Sequence, residues 1–470
     1  MSIDFQKEVD ARKEDLLADL FTLLRINSER DDSAVTADAP FGPGPKAAML
    51  KLLELAERDG FKTNNVDNYV GEFEYGEGDE TLGIFAHMDV VPAGTGWDSN
   101  PYEPEIRDGK IFARGSSDDK GPTVACYYGL KILKELNVPL SKKIKFVIGT
   151  DEESGWADMD YYFAHAEKPD FGFSPDAEFP IINGEKGNIT EYLNFDGTNG
   201  GTFILKSFQG GLRENMVPES GTATITVPAD FDATTLEKAF ADYTEANPVT
   251  GTVTVDGKDV TFVVSGKSAH GANPQTGING ATYLARFLNS YDFGGAAKGF
   301  LKVAGDYAFV DHDGEKLGVA IEDAKMGKLS MNAGVFNFVA DGTDNRIALN
   351  FRYPQGTTPE TIKAGLDKTI GAFVQEITLA EHGHTPHYVP MDDPLVATLL
   401  QVYEDHTGEK GYEQIIGGGT FGRLMERGVA YGAMFPGAVD TMHQANEFIV
   451  EDDLYRAAVI YADAIYRLAK

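Results

Sequence analysis

The chain has 470 residues, 42% of them hydrophobic and 11% aromatic, which is enough for two or three domains with real cores and excludes a disordered polypeptide. Its 41 Lys plus Arg against 74 Asp plus Glu give a formal net charge of -33, a field that repels phosphate backbones and anionic lipid, so neither nucleic acid nor membrane is an expected partner. The single cysteine, Cys126, excludes an intramolecular disulfide, the start "MSIDFQKEVDARKEDLL" lacks a basic and an apolar leader region, and no apolar stretch reaches spanning length; these features predict a cytoplasmic protein whose metal site, if it has one, uses His and carboxylates.

Residues 7–24 read as an acidic amphipathic helix, and "GPGPKAAMLKLLELAERDG" as a second, closed by Gly60. "TLGIFAHMDV" reads as a buried strand. "KIFARGSSDDKGPTVACYYGLKILKEL" continues as strand, loop and helix, with Cys126 on the buried helical pattern. The strand "KKIKFVIGT", the polar turn "DEESG" and a helix-like segment from Trp156 to His165 follow. Strands alternating with covering helices predict a largely parallel α/β layer, with polar loops at the strand ends assembling a site.

From about residue 186 the texture changes. "TATITVPA", "GTVTVDGKDVTFVVSG" and "RIALNFRYP" alternate and are β-branched, with helical patterns near 233–246, 277–290 and 359–377. This predicts catalytic residues 1–185, one or two inserted α+β units over 186–384, and a returning α/β segment over 385–470. That last segment holds a helix near 392–407, the strand-like "YEQIIGG" and a helix from Glu451 to Leu468.

The polar residues at the ends of the first strands are related in type. They are His87 and Asp89 in "AHMDVVPAG", Asp118 and Asp119 in "ARGSSDDKGP", Glu152 and Glu153 in "GTDEESG", Asp176 in "FSPDAE" and, far downstream, His443 in "TMHQANE". Two His and three carboxylates suffice for two divalent ions, since a carboxylate can give one oxygen to each, and such a donor set suits zinc, cobalt or manganese. Each pair also has a plainer account: a histidine held by a nearby acid, or adjacent acids on a solvated loop. Spacing alone leaves both accounts open.

The stretches "HMDVVPAG", "RGSSDDKGP", "GTDEESG", "FSPDAEFPIINGE", "RYPQGTTP", "HYVP", "IGGGTFGRLMERGVA" and "HQANE" occur in the order of the M20 family of metallopeptidases. The chain resembles that family nearly end to end, and most closely its PepV-type, carnosinase-like bacterial dipeptidases. The resemblance implies a zinc-exopeptidase-like catalytic domain with a mixed, largely parallel sheet, an inserted α+β lid domain, and two divalent ions, zinc foremost. It makes His87, Asp118 and Asp176 the ligands of one ion and Asp118, Glu153 and His443 those of the other. Asp118 bridges and is followed by a cis peptide bond, Asp89 orients the His87 imidazole, and Glu152 is the general base. From "GKSAHGANPQTG" it takes His270 as the group that reaches the scissile carbonyl oxygen. Asn215 in "ENMVP", Arg352 in "FRYPQG" and Gly417, Gly418, Gly419 and Thr420 in "IGGGTFGR" become substrate contacts. A turn alone would account for the glycines equally well. His382, His384 and His387 in "EHGHTPHYVP" read as a solvated connection.

The function implied is hydrolysis of dipeptides with a free amino terminus through a dizinc-bridged water, with Glu152 shuttling the proton. Recognition of both peptide ends in a closed pocket limits the substrate to very short peptides, and the resemblance, in which a large insert supplies the lid groups within one chain, implies a monomer. The close alternative is an N-acyl-amino-acid amidohydrolase of deacetylase or desuccinylase type. The distant one is a non-catalytic peptide-binding protein.

Overall fold

Alternate residues of the strand Thr81–His87 go to opposite sides of a sheet. Leu82, Ile84 and Ala86 join one apolar cluster and Phe85 another, and Ile144, Phe146 and Ile148 separate from Val147 in the same way. This period-two split means helices cover both faces. The computed structural model describes residues 3–470, which divide into two compact units, residues 3–184 with 388–470 and residues 185–387.

The first unit is built on six strands in the order Lys62–Val66, Val70–Tyr75, Lys143–Gly149, Thr81–His87, Phe171–Ser174 and Gly428–Ala430. The last four are mutually parallel and the first two antiparallel, so the sheet is mixed. Beneath it lie the helices Lys120–Glu135, almost wholly buried, and Glu451–Ala469, buried over most of its length. They pack closely because Gly129 has no side chain: a Cβ there would stand 2.8 Å from the backbone nitrogen of Ala462. Cys126, on the first of these helices, is buried and free. The acidic N-terminal pattern forms two helices, Phe5–Asp10 and Lys13–Leu24, rather than one, and the strand expected in "YEQIIGG" shrinks to Ile415–Ile416.

The second unit carries one antiparallel sheet of eight strands, in the order Thr250–Asp256, Asp259–Ser265, Ser220–Thr226, Ile204–Gly210, Ser330–Val339, Asn345–Tyr353, Gly187–Phe195 and Glu376–Leu379. The helices Thr235–Glu245, Gly280–Leu288, Gly295–Lys302 and Pro359–Ile370 share its apolar cluster. The sheet falls into two halves that meet where Ile204–Gly210 pairs with Ser330–Val339. Each half runs as a hairpin, a helix and an outer strand. The fourth strand follows the outer strand in one half and comes from the start of the unit in the other. Among the described residues, no helix is long and apolar enough to cross a membrane.

Candidate metal centre

The parallel strands of the first unit deliver their polar residues to one edge. Thr81–His87 ends at His87, Lys143–Gly149 runs into Glu152 and Glu153, and Phe171–Ser174 into Asp176. This is the C-terminal end of the parallel strands, where open α/β sheets place their sites.

His87 is 1% exposed, and its Nδ1 lies 3.0 Å from the backbone carbonyl of Asp89. A carbonyl only accepts, so Nδ1 carries the proton of the neutral ring and Nε2 is left with the lone pair a metal needs. That Nε2 faces Asp118 Oδ1 at 3.1 Å and Asp176 Oδ2 at 3.6 Å. The Asp89 carboxylate is 3.5 Å from Nδ1 and has a second task, accepting the backbone N–H groups of Glu152 at 3.2 Å and Glu153 at 3.0 Å. It thereby ties the turn carrying both glutamates to the end of the His87 strand.

The adjacent acids that spacing could not separate differ in surroundings. Asp119 Oδ2 accepts the His87 backbone N–H at 3.2 Å and the Thr123 hydroxyl at 2.9 Å, which turns that carboxylate toward the frame. Asp118 instead presents Oδ1 to His87 and Oδ2 to His443 Nε2, the latter at 2.9 Å. The peptide bond between the two acids is cis. Glu153 Oε2 lies 3.1 Å from the same His443 nitrogen. The loop of Glu152 and Glu153 is closed by other acids: Asp158 accepts the N–H groups of Thr150 and Asp151, and Asp151 pairs with Arg30 and accepts the Ala157 N–H.

Among the described residues, two groups bring potential ligand atoms within 4.8 Å of one another: His87, Glu152 and Asp176, and His87, Asp118 and Glu153. Glu152 thus stands within ligand distance, although the ligand sets implied by the family resemblance leave it out. His382, His384 and His387 enter neither group.

The cluster is short of positive charge. Burial, followed by the charges of nearby acids, pushes Glu152 well above the usual carboxylate range. Burial and Asp118 push Glu153 to about 7, and the same two causes raise Asp176. Burial would also raise Asp118, but hydrogen bonds from His443 and His87 outweigh it and hold that carboxyl low. Burial opposes protonation of the two imidazoles; hydrogen bonds to acids outweigh it, drawing His443 up to about 11 and His87 well above its ordinary value. Like charges crowded out of water demand a counter-charge. Glu153 Oε1 is buried with no hydrogen-bond partner among the described residues, an acceptor that a cation would satisfy. With two imidazoles and several carboxylates converging, the donor set fits a pair of divalent cations.

Within the first unit, Gly418 and Gly419 lie on the turn before Thr420, whose hydroxyl caps the short helix Phe421–Leu424. Phe421 packs edge-on against His87 with ring centroids 6.3 Å apart, so the glycine-rich turn leads directly to the centre. Gly149 serves the same contact: a Cβ there would fall 2.4 Å from the Phe421 ring. Within the second unit, three residues singled out in the sequence occupy connected segments. Asn215 and His270 are exposed, the Asn215 carbonyl accepts the Gly271 N–H at 2.6 Å, and Met216 bridges to His270. Arg352 is buried opposite Ser330, whose hydroxyl donates to the Ala272 carbonyl.

Sequence reasoning missed Phe421, Asp158, Arg114 and Glu447. Arg114, Phe421 and Glu447 stand in the motif stretches "RGSSDDKGP", "IGGGTFGR" and "HQANE", but nothing in their residue types marks them as parts of the centre.

A parallel-strand edge bearing imidazoles and carboxylates, on a mixed sheet covered on both faces, defines a metal-dependent hydrolase. A model of peptidase family M20/M25/M40 matches residues 83–467, and the chain belongs to that family. It is 44% identical over 474 aligned positions, covering 100% of this chain and 99% of the other, to the Beta-Ala-Xaa dipeptidase of Lactobacillus delbrueckii subsp. lactis. Its fold is shared with human carnosine dipeptidase 1, at a TM-score of 0.56 and 16% identity over 99% of this chain and 98% of that one. It is likewise shared with the aminoacylhistidine dipeptidase of Vibrio alginolyticus, at 0.58 and 14% over 97% and 96%.

Proposed function

We propose that this chain is a dinuclear metal-dependent dipeptidase of the PepV type, acting in the cytoplasm as a monomer on dipeptides with a free amino terminus. The observation that carries the reading is Asp118, whose two oxygens each face a different imidazole, at 3.1 Å and 2.9 Å, as a carboxylate shared by two ions requires. His87, Asp118, Glu153, Asp176 and His443 would hold the ions, zinc by preference and manganese or cobalt as substitutes. When bound, two such ions polarise the scissile carbonyl and make water acidic enough to attack at neutral pH.

The chain's own residues supply the rest. Glu152 takes the proton from the attacking water and returns it to the leaving amine. Asp89 keeps Glu152 in place through the backbone of the glutamate turn and holds the His87 tautomer through its own carbonyl. His270 would donate to the carbonyl oxygen as negative charge develops on it. In this reading Arg352 and the N–H groups of Gly418, Gly419 and Thr420 would be the candidate donors to the peptide's carboxylate, Asn215 a further substrate contact, and an acid of the metal centre the partner of its amine. The kinship with a Beta-Ala-Xaa dipeptidase supports a very short peptide as substrate and places β-alanyl dipeptides among those to try.

The test is to measure bound metal in the purified protein and then assay dipeptides, β-alanyl dipeptides, tripeptides and N-acetylated dipeptides before and after chelation. We expect two ions per chain and chelator-sensitive cleavage of free dipeptides alone. Preferential cleavage of the N-acetylated compounds would replace dipeptidase by amidohydrolase, and a metal-free, inert protein would overturn both.

A further inference from the structure

The candidate ligands Asp118 and His443 are far apart in sequence, yet a single buried carboxylate governs both of their loops. Glu447 lies four residues after His443 and is 0% exposed. Its Oε1 accepts the backbone N–H groups of Ser117 at 2.8 Å and Asp118 at 3.1 Å, and its Oε2 accepts that of Gly115 at 3.1 Å and the Arg114 guanidinium at 2.6 Å. Its backbone carbonyl accepts the Ala113 N–H at 3.2 Å. Every described hydrogen bond of this side chain therefore goes to the segment that ends in Asp118. Arg114, itself 1% exposed, extends the link: its other nitrogen donates to the Pro92 carbonyl at 3.4 Å, three residues past Asp89, and its guanidinium stacks 5.3 Å from the Trp97 ring centroid.

The His443 loop needs such an anchor. His443 and Asn446 both adopt left-handed backbone conformations, at φ of 61° each, which cost energy for residues with a side chain. Asn446 is held by the Asp98 N–H, which donates to its Oδ1 at 2.8 Å, and Glu447 holds the next position. A carboxylate is the right group for this work. It has only acceptor sites, and here it meets three backbone N–H donors and a guanidinium. An amide would turn an NH₂ toward one pair of those donors.

We propose that Glu447 is a positioning residue for the metal centre, setting the spacing between Asp118 and His443 and hence the affinity of the ion that those two residues share with Glu153. This rests on the functional reading above. Groups that orient ligands are worth about 10- to 100-fold in metal affinity.

The experiment compares wild type with Glu447→Gln, both as full-length metal-free protein, titrated calorimetrically with Mn²⁺, whose weaker binding keeps both steps measurable. Circular dichroism confirms that each is folded. Wild type should take up two ions, and the variant one with unchanged affinity and one held about 10- to 100-fold more weakly. The variant's kcat should fall with KM little changed and recover as free Mn²⁺ is raised. A purely structural Glu447 would lower the unfolding temperature and leave both affinities of the folded protein alone, and that result overturns the proposal. A wild type that binds no ion overturns the functional reading and this proposal with it, a distinguishable failure. Should Glu447→Gln not fold, Glu447→Asp, which keeps the charge but shortens the reach, is titrated instead, and the same two outcomes decide.

Discussion

Each unit buries acids, and the two do so to opposite effect. In the first, Asp118, Glu152, Glu153 and Asp176 converge with two histidines, and Glu153 keeps a buried oxygen without a hydrogen-bond partner among the described residues, an acceptor a cation would satisfy. In the second, Glu191 on the strand Gly187–Phe195 is 0% exposed, shares its sheet face with Ile189 and Leu193, and has neither carboxylate oxygen hydrogen-bonded among the described residues. Burial raises its pKa to about 8, with Lys363 opposing and Asp367 and Glu360 on the helix Pro359–Ile370 assisting. Among the described residues Glu191 enters no group of three or more potential metal ligands, so it forms no such centre. A buried carboxyl marks chemistry only where other ligands meet it; alone it is a neutral acid that the fold tolerates.

The comparison breaks most visibly at Asp118. Asp118→Asn leaves the shape but removes the shared charge, and turnover should fall below detection with loss of ion binding, read by metal analysis and assay. Glu152→Gln should cut kcat by about 10²- to 10⁴-fold while the ions stay bound. If it sheds the ions as completely as Asp118→Asn, Glu152 is a ligand rather than the base.

In the second unit the sign reverses, because removing the acid should help. Glu191→Leu should raise stability at pH 8 by about 2 to 4 kcal/mol in denaturant unfolding, since a buried group without a partner is replaced by an apolar one of similar size. The pH dependence follows from the raised pKa. Below 4.5 both folded and unfolded chains keep the proton; between 4.5 and about 8 the unfolded chain loses a proton that the fold retains; above 8 both are ionised. Stability should therefore fall as pH rises through that window, by up to roughly 5 kcal/mol, and the variant should lack this component of the slope. The smallest effect belongs to an exposed acid: Asp242→Ala, which breaks the solvent-facing pair with Lys238, should shift stability by less than about 0.5 kcal/mol.

Much of this contrast was legible beforehand. Strand ends with His87, the Asp118 and Asp119 pair, the Glu152 and Glu153 pair and Asp176 were visible because apolar runs stop where polar pairs begin, and the alternating texture after residue 186 announced the antiparallel unit. What separates Asp118 from Asp119 is the direction each carboxylate takes from adjacent backbone positions, which residue type does not encode. Glu447 was hidden for a related reason: its partners are backbone N–H groups more than 300 positions away, and backbone groups leave no trace in composition. Glu191 was hidden by its sign, because a charged residue within a strand reads as facing solvent. The break at Ala11 and Arg12 between the first two helices likewise escaped a periodicity that continues across it.

Cys126 turns the catalytic unit into its own stopwatch. It is the chain's one thiol, sealed in the helix Lys120–Glu135, which starts a residue after Asp119, and burial keeps it protonated and inert. A thiol reagent can label it only when that helix leaves its berth, so labelling kinetics time the opening of the layer under the centre, with no probe engineered in and no background from a second sulfhydryl.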